Sequence, residues 1–252
     1  MSEWSNLGSI RRAYEEELFK FIESSPNFTL NERTLIFSDV HANYRALRAA
    51  LDFSEKNSVS RLISLGDMVD YNTNPDLTVS TILDHPGLIY AVRGNHDCFE
   101  EFISPKVYVS CYAKSKINPE LALRINELPT KAIIGIQKKK FLLCHSNPWE
   151  DDGLYVYPSN VSIFDDILFR MPCQGFFYGH THFVADYSKF GKVIFNPGSL
   201  GQSRGDANRL TFAWIDPDML SIEIFGMWHN PVQCEEIISA PEKLSEIRWN
   251  FN

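Results

Sequence analysis

The sequence predicts an α/β protein in which two β-sheets face each other with helices on the outside. Three observations carry that expectation. The first half alternates short apolar strands with amphipathic helices, a β-α-β-α-β series that signals a parallel sheet. The second half is richer in strands at hairpin spacing, which suggests a mixed or antiparallel second sheet. The chain of 252 residues, 44% apolar and 22% charged, is long enough to bury one large core, and no Pro/Ser/Gly-rich or charge-block linker divides it.

Residues 9–24 place Ile10, Tyr14, Leu18, Phe19 and Ile22 at helical spacing, which predicts an amphipathic helix packed on the core. Residues 1–33 therefore read as a helical extension and 34–252 as a single domain. The first strand is Thr34-Leu35-Ile36-Phe37. It leads into Ser38-Asp39-Val40-His41 and a helix over 43–55, with Ala46, Leu47, Ala50, Leu51 and Phe53 as its apolar positions. A second strand over 61–65 runs into Gly66-Asp67, and a helix follows from Pro75 to about Leu83. The third strand, 88–92, ends in Arg93-Gly94-Asn95-His96-Asp97. Strands over 131–136 and 141–144 read as a hairpin, with Lys138-Lys139-Lys140 as its solvated turn. Strands over 175–178, 193–195, 210–215 and 220–225 complete the series.

The formal net charge is −8, from 32 acidic and 24 basic side chains, which argues against a broad cationic surface and against extended nucleic-acid binding. The five cysteines, Cys98, Cys111, Cys144, Cys173 and Cys234, form no C-x-x-C pair. They fit reduced thiols and indicate no structural zinc knuckle. No apolar run approaches a signal sequence or the roughly 18 residues of a membrane span. A cytoplasmic protein with no membrane partner is expected; oligomeric state is not legible.

Five of the seven histidines fall in short polar clusters. The clusters are Asp39-Val40-His41, Gly66-Asp67-Met68-Val69-Asp70, Gly94-Asn95-His96-Asp97, Cys144-His145 and Gly179-His180-Thr181-His182. Each directly follows an apolar strand, at the carboxyl end where open α/β sheets collect ligands. Alone, any one is a turn or a helix cap. Together they offer Asp39, Asp67, Asn95, His41, His145, His180 and His182 as a mixed oxygen and nitrogen ligand set. Seven candidates exceed the three or four protein ligands of one catalytic metal but suit two ions about 3.5–4 Å apart sharing a carboxylate. Mixed Asp, Asn and His ligation favours Mn, Fe, Zn, Co or Ni over an all-oxygen Mg or Ca site.

Read as a set, Asp39-x-His41, Gly66-Asp67-x-x-Asp70, Gly94-Asn95-His96-Asp97, His145 and Gly179-His180-x-His182 resemble the calcineurin-like metallophosphoesterase superfamily. The spacings of 28 residues from Asp39 to Asp67 and from Asp67 to Asn95 also suit it. The resemblance implies a four-layer α/β/β/α sandwich and a dinuclear centre, Mn foremost, between the tops of its two sheets. Asp39, His41 and His182 would bind one metal, Asn95, His145 and His180 the other, with Asp67 bridging. A metal-bridging hydroxide would attack phosphorus and His96 would protonate the leaving group, oriented by Asp97 or Asp70. Asn95, through its amide nitrogen, and Arg93, as a bidentate donor, would contact substrate phosphate.

Residues 66–75 and 196–204 are also similar to a prokaryotic branch of phosphodiesterases, diadenosine tetraphosphatase-like and phosphoprotein phosphatase-like proteins. Tyr71 and Ser146 stand where eukaryotic-type Ser/Thr phosphatases usually have Arg and Gly, which weakens a protein phosphatase reading. The substrate implied is small and phosphorylated: a monoester, a diester or a nucleotide anhydride. A non-catalytic scaffold on the same fold is the alternative from another class, although scaffolds are expected to lose ligands or the acid and none is missing here. In the loop from Asn196 to Arg204, Gly198 and Gly201 permit close backbone approach. Either Ser199 brackets the metal edge while Arg204 reaches a substrate phosphate, or the loop is a structural turn behind His180 and His182. Trp149, Tyr155 and Tyr157 read as packing residues, with stacking on a nucleobase as the second option. The tail after Trp228 is expected to pack on the sandwich.

Overall fold

The computed structural model describes residues 15–26, 28–99, 117–149, 155–206, 208–229, 238–249 and 251. In chain order its elements are α1 (15–24), β1 (Phe28–Thr29), β2 (Thr34–Phe37), α2 (Tyr44–Lys56), β3 (Arg61–Ser64), α3 (Pro75–Leu83), β4 (Leu88–Ala91) and α4 (Pro119–Asn126). There follow β5 (Lys131–Ile136), β6 (Lys139–Cys144), α5 (Val161–Arg170), β7 (Gly175–Phe177), β8 (Val184–Lys189), β9 (Lys192–Pro197), β10 (Arg209–Asp216), β11 (Ser221–Trp228) and β12 (Glu242–Arg248). Ile10, Tyr14, Cys111 and Cys234 lie outside the described residues, whereas Cys98, Cys144 and Cys173 are buried and in no disulfide.

Two mixed six-stranded sheets result, ordered β12-β11-β10-β2-β3-β4 and β1-β5-β6-β7-β9-β8. Strands β2, β3 and β4 are parallel, as the alternation with α2 and α3 predicts. The β5–β6 hairpin pairs Lys131 with Cys144 and Ile136 with Lys139, and turns at Gln137-Lys138. Of the three lysines only Lys138 is in that turn; Lys140 Nζ donates to Ile22 O at the end of α1 over 2.7 Å.

One expectation is corrected. The hairpin β10–β11 does not belong with the later strands but extends the first sheet, because β10 lies antiparallel to β2 with Ala213 opposite Ile36. Hairpin spacing sets the pairing within a hairpin, not which sheet it joins. Nearly every residue of β10 is buried, a pattern that suits a strand flanked on both sides. The tail supplies β12, antiparallel to β11 at the sheet edge.

Side-chain alternation along the strands sorts the core into layers. Leu35, Phe37, Phe212, Trp214 and Phe225 point from the first sheet to α2, α3 and α4. Their neighbours Ile36, Ile63, Ala213 and Ile224 meet Ile134, Phe141, Phe177 and Phe195 of the second sheet, with Trp249 of the tail closing the layer. On the outer face, Ile133, Leu142, Phe176 and Ile194 receive Leu18 and Ile22 of α1 and Phe164, Ile167 and Leu168 of α5. The product is the four-layer α/β/β/α sandwich. Each fully buried Phe or Ile contributes about 1.5–3 kcal/mol to holding the sheets face to face. Asn43 fixes the start of α2 by accepting from Ala46 N at 3.0 Å. No helix among the described residues is long and apolar enough to cross a membrane.

Candidate metal centre

All five polar clusters emerge from the carboxyl ends of β2, β3, β4, β6 and β7. The chain turns sharply there: Asp39, His41, Asp67, His180 and His182 have φ between 48° and 64°. Such left-handed backbone costs a non-glycine residue on the order of 1–3 kcal/mol and persists only where surrounding contacts enforce it. The enforcing contacts are visible. Asp39 N donates to Gly66 O at 3.0 Å, His41 N to Asp67 O at 2.9 Å, and Gly179 N to His145 O at 2.8 Å. Two glycines let these loops touch. A Cβ on Gly94 would lie 2.1 Å from Asp67 Oδ1, and one on Gly179 would lie 1.8 Å from Ser38 Oγ and 2.6 Å from Asp39 Oδ2.

The loops deliver two buried triads, Asp39, His41 and His182, and Asp67, His145 and His180. Within the first, Nε2 of His182 is 3.1 Å from Asp39 Oδ1 and 3.1 Å from Nε2 of His41. In the second, Nε2 of His145 is 3.1 Å from Asp67 Oδ2. Asp67 faces both, since the same Oδ2 lies 3.9 Å from Nε2 of His41.

The donor chemistry of these residues fits cations. Nδ1 of His41 donates to Val69 O at 2.9 Å, Nδ1 of His145 to Leu65 O at 2.7 Å, and Nδ1 of His182 to Gln202 O. A carbonyl only accepts, so each Nδ1 carries the hydrogen and each ring turns Nε2 to the centre. Asn95 Oδ1 is buried without a hydrogen-bond partner among the described residues, while Asp39 Oδ1 and His145 Nε2 face His182 and Asp67, the neighbours with which they would share an ion. A buried acceptor left without a partner is costly unless a cation meets it. Asn95 Oδ1 has the chemistry of an oxygen donor to such a cation.

Electrostatics say the same. Burial pushes Asp39 up, but the His182 imidazole and its hydrogen bond, helped by His145, outweigh it and hold the carboxyl at about 2. Burial pushes Asp67 up as well, yet His145 beside it holds that carboxyl well below the usual carboxylate range. In return, the downward pull of burial on His145 is overcome by Asp67, which raises the ring to about 10. His41 is pushed down to about 4 by burial and is a neutral ring. Two ionised carboxylates and a neutral imidazole are the protonation states that divalent ions need, and the remaining proton on His145 is one they must displace.

The comparisons with known proteins agree. The model of the calcineurin-like phosphoesterase superfamily domain matches residues 33–219. The chain belongs to that superfamily. It is 29% identical over 241 residues to the uncharacterized protein MJ0912 of Methanocaldococcus jannaschii, covering 84% of this chain and 95% of that one. A metallophosphoesterase from Sphaerobacter thermophilus superposes with a TM-score of 0.59 at 27% identity, covering 74% of this chain and 84% of the other. Yfce, a phosphoesterase from E. coli, shares the fold with a TM-score of 0.53 at 17% identity, over 86% of this chain and all of that one, 100%. The family and the two clusters point to divalent metal ions.

The other predicted residues of this phosphoesterase fall into place differently. His96 is buried, and its Nδ1 is 2.7 Å from Asp70 Oδ2. Burial pulls the His96 ring down, but the Asp70 hydrogen bond and the charges of Asp67, Asp70 and Asp97 raise it above the ordinary imidazole value. Of the two carboxylates offered for His96, Asp70 is the one its ring meets. Asp97 instead binds main chain. Its Oδ1 accepts from Met68 N at 2.8 Å and Val69 N at 3.4 Å, and its Oδ2 from Gly94 N at 3.0 Å, which ties the loop after β3 to the loop after β4. Arg93 donates from Nη1 to Asn126 O at the end of α4, 3.0 Å away.

The loop after β9 supports the ligands from behind. Ser199 Oγ donates to Asp39 O at 2.8 Å, Gly201 N donates to the same oxygen at 2.9 Å, and Asn196 Nδ2 donates to Gly179 O at 2.6 Å. Of the two readings for that loop, these contacts favour the supporting turn for Ser199. Leu65, Val69 and Gln202 were not foreseen, because they act through main-chain carbonyls that any side chain would provide. Trp149 packs with the outer layer.

Proposed function

We propose that this phosphoesterase hydrolyses a small phosphate ester or anhydride with two divalent ions, manganese foremost, held by Asp39, His41 and His182 and by Asn95, His145 and His180, with Asp67 shared. The observation that supports it best is the pair of buried triads, Asp39, His41 and His182 and Asp67, His145 and His180, with Asp67 Oδ2 facing both, beside a His96 hydrogen-bonded to Asp70. When bound, such ions polarise phosphoryl oxygens and lower the pKa of water at neutral pH.

The chain's own residues do the rest. Two divalent charges exceed those of Asp39 and Asp67, so a phosphate is drawn to the centre despite the acidic chain. The Asn95 amide nitrogen is free to donate to phosphate when its oxygen faces a metal. His96 holds a proton on Nδ1 against Asp70 and presents Nε2 as the general acid for the leaving oxygen, worth about 10²–10⁴-fold on poor leaving groups.

Purified protein loaded with Mn is expected to cleave at least one of bis(p-nitrophenyl) phosphate, p-nitrophenyl phosphate and a dinucleoside polyphosphate. Elemental analysis is expected to show near two metals per chain. His96→Ala is expected to keep the metal and lose turnover on poor leaving groups. Failure on the whole panel with two ions present would overturn the reading in favour of a scaffold.

A further inference from the structure

The mouth of the metal centre is built from tyrosines. On the side of the first triad Tyr71 stands edge-on to His41, ring centroids 4.6 Å apart, and 5.2 Å from His96. On the side of the second triad Tyr155 lies over His180 at 3.9 Å. Tyr157 is stacked on Tyr155 at 5.5 Å with only 10° between the planes, and Phe183 meets Tyr157 edge-on at 6.0 Å. Arg204 connects the two sides: its guanidinium is 5.9 Å from the Tyr155 ring, hydrogen-bonds that tyrosine and feels the oxygens of Tyr71 and Tyr157.

The metal ligands are buried, yet these three rings keep 50%, 40% and 38% of their surface exposed, for Tyr71, Tyr155 and Tyr157 respectively. Nothing in phosphate hydrolysis requires an aromatic rim. Scattered single aromatics on a surface are ordinary, but three beside one arginine around a phosphate site form a patch with a use. Inorganic phosphate or a short alkyl ester gains nothing from it. A planar group attached to phosphorus gains ring contact with the tyrosines and a cation–π or charge contact with Arg204.

Resting on the hydrolase reading above, we propose that Tyr71, Tyr155, Tyr157 and Arg204 form a subsite for a nucleobase carried by the ester group that stays on phosphorus. The preferred substrate class is then a nucleoside phosphodiester or nucleoside polyphosphate rather than a small phosphomonoester. Tyr155 is in addition a positioning residue, since it covers a metal-site histidine. Tyr71 and Tyr157 supply the ring surface that reads the base.

The test uses two diesters with one leaving group, p-nitrophenyl thymidine 5′-phosphate and methyl p-nitrophenyl phosphate, on the Mn-loaded full-length protein. Because the departing p-nitrophenolate is common, the chemical step is matched and the ratio of kcat/KM reports the remaining group. Wild type is expected to favour the thymidine ester by roughly tenfold or more, as base–aromatic stacking supplies, with the difference in KM. Tyr157→Ala, which touches no metal-site histidine among the contacts above, is expected to erase most of that ratio, and Tyr157→Phe to restore it. Tyr71→Ala is expected to lower the ratio too. Equal kcat/KM for the two esters in wild type, or a ratio unchanged in the Tyr71→Ala/Tyr157→Ala double variant, overturns the subsite while leaving the hydrolase intact. Equal losses on both esters in Tyr157→Ala mean a structural role and also overturn it. Cleavage of neither ester overturns the subsite; the hydrolase reading falls with it only if p-nitrophenyl phosphate and the dinucleoside polyphosphate are left intact as well.

Discussion

The pairing of His96 with Asp70 gives the sharpest prediction. Asp70→Asn keeps the size and an acceptor oxygen but removes the charge that faces His96 Nδ1 at 2.7 Å. Asp70 has φ 74°, a conformation asparagine tolerates better than most residues, so the loop is expected to survive. Both partners are buried, Asp70 at 2% exposure and His96 at 9%, so solvent does little to screen the change. A hydrogen bond to a charged group contributes about 1.5–3 kcal/mol against about 1 for a neutral one. The loss is therefore about 0.5–2 kcal/mol, the middle of which is about one pKa unit. The sign follows from the role: the general acid works while protonated, so activity falls as pH rises through the His96 pKa, and lowering that pKa moves the alkaline limb to lower pH. The assay is kcat against pH for a phosphodiester with a poor alkoxide leaving group beside one with p-nitrophenolate. The alkoxide profile is expected to shift acidward by about one unit, and the p-nitrophenolate profile to stay nearly fixed, since that leaving group needs no proton. Equal shifts for both, or none for either, would remove His96 as the acid.

Three further outcomes are expected. Asp67→Asn should lower metal content toward zero rather than toward one ion per chain, as read by elemental analysis, because Asp67 Oδ2 reaches His145 and His41 alike at 3.1 and 3.9 Å; retention of one ion would contradict the sharing. Gly179→Ala forces a Cβ to 1.8 Å from Ser38 Oγ and should cost about 1–3 kcal/mol, or several degrees in Tm, by overpacking. Gly205→Ala, which meets nothing nearer than Phe183 at 3.4 Å, should be near neutral in the same melt, and equal Tm values would dismiss the clash. Finally, Mn affinity should rise with pH, up to tenfold per unit, below about 10, where Asp67 keeps a proton on His145 that the ion must displace; a pH-independent titration would rule this out.

The parts of the fold legible in the sequence are those with a local cause. An apolar run followed at once by Asp-x-His or Gly-Asn-His-Asp marks a strand and its carboxyl end without knowledge of any neighbour, and all five clusters converge as that pattern implies. What stayed hidden depends on partners distant in sequence. β8 reads Val-Ala-Asp-Tyr-Ser-Lys and β12 Glu-Lys-Leu-Ser-Glu-Ile-Arg, mostly exposed edge strands whose existence rests on pairing with β9 and β11. β1 is two residues held by β5. The choice between Asp97 and Asp70 was hidden for a related reason: Asp97 is beside His96 in sequence, yet its carboxylate is claimed by three main-chain N–H groups. Arg93 shows the same limit, since its guanidinium finds a helix end 33 positions away.

The two halves of the centre are built as one unit. Asp39 of the first triad gives Oδ2 to the main-chain N–H of His180 in the second, at 2.9 Å. Asp67 of the second gives Oδ1 to the main-chain N–H of His96, at 2.8 Å. Each carboxylate thus spends one oxygen anchoring a neighbouring loop and turns the other, Asp39 Oδ1 or Asp67 Oδ2, toward the imidazoles. A carboxylate accepting a main-chain N–H has its orientation fixed before any cation arrives, so less entropy is lost on binding. The left-handed turns at Asp39 and His180 are part of the same device, because Asp39 N is bonded to Gly66 O while His180 N is bonded to Asp39. Strain in each of these loops is therefore balanced by a hydrogen bond from a neighbouring loop, and neither aspartate can change without loosening the loop its carboxylate anchors.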